Sequence, residues 1–156
     1  MRKVQNTHIR KSLPELHRAL VDIATLMNSP ERDAQLLEMA GLGLERALFP
    51  LLVGIERRGP IGVVELAEGV GRDYTTVSRQ VARLETLGLV ERRPGAKDKR
   101  VREAVITPRG KEATDALDAA REKMASTVFR NWSREDFDEL IRLMRMLADG
   151  MSADPA

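Results

Sequence analysis

No cysteine occurs among the 156 residues. That excludes a disulfide scaffold, a thiolate nucleophile, a Cys-ligated zinc site and a thiol redox switch. Histidine is nearly absent too. His8 and His17 lie nine residues apart, on different faces of any one helix, which argues against a His-based metal site. The aromatic residues are only Phe49, Tyr74, Phe129, Trp132 and Phe137. No apolar run approaches the ~20 residues needed to cross a bilayer. The start, Met1-Arg2-Lys3-Val4, leads into a polar stretch and does not read as a signal peptide. There is no nucleophile–base pair, no phosphate-binding Gly loop and no metal cluster. The expectation is therefore a cytoplasmic protein that is not an enzyme, needs no cofactor and meets no membrane.

What is present is charge, unevenly placed. The whole chain carries a formal +2. From Arg72 to Lys111, eleven cationic side chains stand against five carboxylates, a net +6, which leaves −4 for the rest. A basic middle between acidic flanks is the footprint of a module that binds a polyanion. A solvated face laced with ion pairs is the alternative.

Apolar residues give the organisation. Ile9, Leu13, Leu16, Leu20, Ile23 and Met27 recur at alternating steps of four and three, the seam of an amphipathic helix. Ser12 with Pro14 offers a local start, which would detach the turns before it. Ser29 and Pro30 begin a second helix, as N-cap and first helical residue, and Gly41-Leu42-Gly43 breaks it. Leu44 to Arg57 reads as an apolar helix that Pro50 must kink or shorten. Val63 to Glu68 is a short helix with Gly62 as its cap. Asp73 caps the next one, which carries Val77, Val81, Leu84 and Leu87 on one face, and Gly88 closes it. Leu89 to Arg93 and Val101 to Thr107 read as two strands joined by an exposed loop. Thr107-Pro108 opens a long helix, and Ser133 with Glu135 and Asp136 opens the last. Phe129, Trp132 and Phe137 fall at the corner between those two helices, in a packing role. Met1 to Asn6 and Ser152 to Ala156 read as loose tails.

A short helix, a Gly-containing turn, an amphipathic helix and a basic β-hairpin form, in that order, a winged helix-turn-helix. The fold class is mainly α with a small β-hairpin wing. Val77, Val81 and Leu84 face inward. Tyr74, Thr75, Thr76, Ser78, Arg79 and Arg83 face out or to the side, where hydroxyls reach phosphates or base edges. Arg79 has the length for a bidentate guanine contact. The loop tip supplies Lys97, Lys99 and Arg100, with Asp98 placed to brace Arg100. The competing reading leaves the Ser and Thr side chains solvated and pairs the arginines with Glu68 or Glu85.

These residues resemble the MarR family of bacterial transcriptional regulators. The resemblance rests on Leu66 to Arg79, Val81 to Glu85, Gly88 to Arg93, Asp98-Lys99-Arg100 and Ile106 to Gly110, within about Gly59 to Gly110. It implies a homodimer held by N- and C-terminal helices, with each recognition helix in a major groove of a pseudo-palindromic double-stranded DNA operator. It implies further that Arg100 enters the adjacent minor groove, and that a small aromatic or anionic effector relieves repression. The chain departs from the family pattern at Gly62, at Pro50 and in the more structured segment from Ser29 to Gly43. The residues argue for dimerisation independently, because long helices with one apolar stripe outside a self-contained domain need a partner. The expected division is residues 1–43 as a dimerising arm, 44–107 as the winged domain and 108–156 as C-terminal dimerising helices. A winged module that docks an acidic protein is the remaining alternative.

Overall fold

A computed structural model describes residues 2–153. Seven helices and three strands are assigned among them: α1 Asn6–Met27, α2 Pro30–Met39, α3 Phe49–Arg58, β1 Ile61–Gly62, α4 Val63–Val70, α5 Tyr74–Thr86, β2 Val90–Pro94, β3 Arg102–Ile106, α6 Pro108–Val128 and α7 Arg134–Ser152. The chain divides into two compact units, Met1–Ala120 and Arg121–Ala156.

In the first unit, one apolar cluster joins α3, α4, α5 and the sheet. Leu51, Leu52, Ile55, Leu66, Val77, Val81 and Leu84 have no exposed surface, and Leu48, Ile61, Ala67, Leu89, Val90, Ala104 and Ala113 complete the cluster. The antiparallel sheet runs β1-β3-β2, with Ile61 opposite Ala104 and Val90 opposite Ile106. β1 is only two residues long and follows a cis Gly59–Pro60 bond. It had no periodicity to betray it. Its presence puts β3 in the middle of the sheet, flanked on both sides.

Two expectations need correction. Ser12 does not start a helix, because α1 begins at Asn6 and runs unbroken through Pro14. The helix after Gly43 starts at Phe49 rather than Leu44, with Pro50 in its first turn. The missing proline N–H falls there among amides that have no intrahelical acceptor, so Pro50 opens the helix instead of bending it. The expected tails lie partly outside the described residues, at Met1 and 154–156; within them, Asn6 and Ser152 belong to α1 and α7.

Other boundaries follow from local chemistry. The Ser29 hydroxyl accepts from Arg32 N–H at 3.3 Å at the head of α2, and the Ser133 hydroxyl accepts from Asp136 N–H at 3.0 Å at the head of α7. Thr107 Oγ1 accepts from Gly110 N–H at 3.0 Å and donates to the Gly88 carbonyl at 2.7 Å. One hydroxyl thus ties the end of α5 to the start of α6. In the second unit, Phe129 packs edge-on against Trp132 and Phe137, at ring-centre distances of 5.1 and 4.8 Å, the packing corner expected of them.

α6 approaches the winged core backbone to backbone at Gly110. A Cβ there would run into the Leu89 carbonyl oxygen and the Ile106 side chain. Gly110→Ala is expected to destabilise the fold by about 1–3 kcal/mol, as overpacking does, read as a lower urea midpoint at unchanged m-value.

Candidate nucleic-acid interface

The helix-turn-helix is built by burial on one side and capping at one end. α4 ends at Gly71, whose φ of +67° is the left-handed conformation that a glycine takes without strain. Two residues on, the Asp73 carboxylate accepts from the Thr76 N–H at 2.9 Å and from the Thr76 hydroxyl at 2.6 Å. These bonds, with the nearby Arg79 charge, hold the Asp73 carboxyl below the usual carboxylate range. Val77, Val81 and Leu84 pin α5 to the core with no exposed surface. The opposite face is therefore turned to solvent as one piece.

On that face Tyr74, Thr75, Arg79 and Arg83 are exposed, while Thr76 and Ser78 are half-buried. Their engagements differ. Thr76 is spent on the cap. Arg83 pairs with Glu45, Nε to Oε1 at 3.3 Å. Arg79 has no hydrogen bond or ion pair among the described residues. Neither Glu68 nor Glu85 takes an arginine of this helix among the described residues, so the competing sequence reading loses its proposed pairs.

The wing stands beside α5. Its strands pair from Val90 opposite Ile106 to Pro94 opposite Arg102. At the tip, Asp98 Oδ1 accepts from both the backbone N–H and the Nε of Arg100, at 3.0 and 3.3 Å. This is the brace expected of Asp98, and it leaves the Arg100 side chain 92% exposed. Lys97 and Lys99 are exposed and make no hydrogen bond or ion pair among the described residues. Nearer the base, Arg92 Nη2 donates to the Ser78 carbonyl at 3.1 Å, and its Nε is buried without a partner. Arg93 pairs with Glu91 on its own strand. The arrangement presents free cations at two places, mid-helix and wing tip, with Arg92 Nη2 and Arg93 between them engaged within the protein.

A family model named HVO_A0114 matches residues 44–104, the span that holds these features. The HTH-type transcriptional regulator YxaD of Bacillus subtilis (strain 168) is 36% identical over 104 residues, 65% of this chain and 73% of YxaD. The fold superposes on a MarR family protein from Bacillus stearothermophilus with a TM-score of 0.80 at 22% identity, covering 96% of this chain and all of that one. The chain belongs to the MarR family of transcriptional regulators. A second neighbour of this MarR-family chain is the transcriptional regulator BldR from Sulfolobus solfataricus, with a TM-score of 0.65, 21% identity, and 94% and 99% of the two chains covered. A MarR-family protein is a DNA-binding regulator, not an enzyme. Among the described residues no helix is long and apolar enough to cross a membrane.

For this MarR-family head, sequence reasoning missed the groups that hold α5 from the side. Arg72 Nη1 donates to the Ala47 carbonyl at 2.8 Å and to Gln80 Oε1 at 2.9 Å. Glu45 reaches Arg83 across 38 residues of sequence. No local pattern carries such pairs. The only trace is composition, a carboxylate and an arginine side by side at Glu45-Arg46.

The depressed Asp73 carboxyl has a pH signature. Its contribution is present above the ordinary carboxylate pKa and is lost as pH falls through the lower folded value. Asp73→Ala is expected to lower the unfolding midpoint at pH 7, and the gap to the parent protein should narrow as pH drops below about 4, where free aspartate takes its proton. Urea melts of both proteins across that range check it.

Proposed function

We propose that the protein is a dimeric, sequence-specific repressor of transcription in the cytoplasm, released from double-stranded DNA by a small ligand. Residues 44–107 read the DNA, and residues 1–43 and 108–156 dimerise. The reading is carried by Arg79, an exposed guanidinium with no hydrogen-bond or ion-pair partner among the described residues, mid-way along the outward face of a helix whose other face is wholly buried. In this reading α5 enters a major groove. Arg79 addresses a guanine edge, with Tyr74, Thr75, Ser78 and Arg83 on flanking phosphates or bases. Lys97, Lys99 and Arg100 meet the backbone and the neighbouring minor groove, with Asp98 holding Arg100. Thr76 supports the helix start and does not reach a base.

A second copy is the simplest cover for α1. Ile9, Leu13, Leu16 and Ile23 are 40–50% exposed along one stripe, and α1 buries no residue within the chain. In the second unit, Phe137, Ile141 and Met144 of α7 are exposed as well. A two-fold partner burying such stripes sets two reading heads about one DNA turn apart, ~34 Å, which suits a pseudo-palindromic operator. For the effector, a cavity of about 310 Å³ lies beside the end of α5, walled by Leu42, Leu44, Leu87, Leu89 and Ala113 and lined also by Arg109 and Glu112. In this reading the apolar walls take a small aromatic effector, whose anionic group would meet Arg109 rather than Glu112.

Operator affinity should fall steeply with salt. On a duplex selected in vitro from a random pool, Arg79→Ala is expected to cost about 1–3 kcal/mol at one base position while leaving random-DNA affinity nearly intact. Equal losses on both duplexes would remove the base-reading role. Lys99→Ala should weaken both alike and reduce the salt slope by about one. A footprint with no protected bases would favour docking to an acidic protein instead.

The double change Leu13→Glu and Leu16→Glu should yield a monomer by light scattering. That monomer should lose operator binding while keeping its far-UV circular dichroism. A dimer that survives both charges would place the interface elsewhere.

A further inference from the structure

Three consecutive residues between α2 and α3 grip two distant parts of the molecule at once. Arg46 faces the α1–α2 corner. Its Nε donates to Asp33 Oδ2 at 2.5 Å and its Nη2 to the Asn28 carbonyl at 3.1 Å. The Asp33 side chain is only 15% exposed, so this anchor is the sheltered one. On either side of Arg46, the chain holds α5. Glu45 Oε1 accepts from Arg83 Nε at 3.3 Å. The Ala47 carbonyl accepts from Arg72 Nη1 at 2.8 Å, and the same nitrogen donates to Gln80 Oε1 at 2.9 Å. Gln80 and Arg83 are one helical step of three apart and so lie on one side of α5.

We propose that Arg46 is a positioning residue for the recognition helix: by clamping residues 45–47 to the α1–α2 corner it sets where Glu45 and the Ala47 carbonyl stand, and so sets the pose of α5. It rests on the reading of α5 as the DNA-reading helix. Among the described residues, Arg46 itself makes no hydrogen bond or ion pair with α5.

Energetics assign these contacts to geometry and not to stability. Arg46, Arg83 and Glu45 are all about half exposed or more at their side chains, and exposed ion pairs add little to folding. Yet each contact fixes a direction. A cation held by two acceptors on the corner cannot move without carrying its chain neighbours, one residue to either side. The inward face of α5 is apolar and holds it by area, which resists lifting more than it resists small rotation or sliding. The lateral contacts at Gln80 and Arg83, with the Arg92 bond to the Ser78 carbonyl from the wing side, supply the missing restraint. The device also gives any movement of the α1–α2 corner a route to the DNA-reading face.

Arg46→Met, Asp33→Asn and Arg46→Lys, compared with the parent full-length chain, test the proposal. Hydrogen–deuterium exchange over residues 74–86 reads α5 without any DNA. Binding to a duplex selected by the parent protein, against random duplex of equal length, reads the consequence. Arg46→Met and Asp33→Asn are expected to speed exchange in α5 at an unchanged thermal midpoint, and to cut the ratio of selected to random affinity by up to about fivefold, the upper end of what an exposed ion pair contributes. Arg46→Lys, which keeps the charge on Asp33, should recover part of both. On an Arg83→Met, Gln80→Leu background, where α5 no longer meets residues 45–47, Arg46→Met should add nothing further. Unchanged α5 exchange in both Arg46→Met and Asp33→Asn overturns the proposal. So do effects on the two backgrounds that simply add. If the parent protein selects no sequence at all, the DNA-reading assignment fails while the exchange arm still decides the positioning role.

Discussion

Val77, Val81 and Leu84 must be buried together, and nearly everything else at the reading head follows from that constraint. Their spacing puts them on one stripe of α5, and each has no exposed surface. Removing three branched side chains from water is worth several kcal/mol in total, about 1.5–3 for each. No surface ion pair nearby competes with that. The apolar stripe therefore decides which way Arg79 points, and polar contacts refine the pose it leaves open. An interface made of small, weakly held cations is rigid here because the opposite face of the same helix belongs to the core.

The division of labour among the charged groups carries the functional reading. A net +6 over forty residues says only that a polyanion is welcome. The structure sorts those charges. Arg72, Arg92 and Arg83 serve α5 or its neighbours as hydrogen-bond donors within the protein. Arg79, Lys97 and Lys99 keep their donors for something outside, and Arg100 is braced yet open to solvent. A cation paired inside the protein must first give up its partner to meet a phosphate, so in the proposed reading the free ones set both the salt dependence and the choice of sequence.

The winged helix-turn-helix was legible because its signals are local. Asp73 before Thr76 and the 77-81-84 stripe each act over a few residues, and each structural counterpart is where the pattern places it, whereas the helix read as Val63 to Glu68 runs on to Val70 before Gly71 ends it. β1 was not legible, since two residues show no period and their pairing with Glu103 and Ala104 is remote. The error at Leu44 came from reading hydrophobicity as helix: Leu44 and Leu48 pack on the core from a turn, and the helix waits for Pro50. The continuity of α1 through Pro14 ran against a backbone rule, with the helix forgoing one hydrogen bond there. The groups that hold α5 from the side lie 25 and 38 residues away in the chain. Only the folded molecule brings them together.

The Thr107 hydroxyl, bonded at once to Gly88 and Gly110, closes the β-hairpin at its root. The two strands leave and return through one point, and everything beyond Pro94 and Arg102 hangs from that collar. Lengthening or shortening the turn between them changes how far its cations extend without disturbing α5 or α6. The hairpin is thus an exchangeable part, whose reach, along a DNA backbone in the proposed reading, is adjustable residue by residue while the domain that carries it stays as it is.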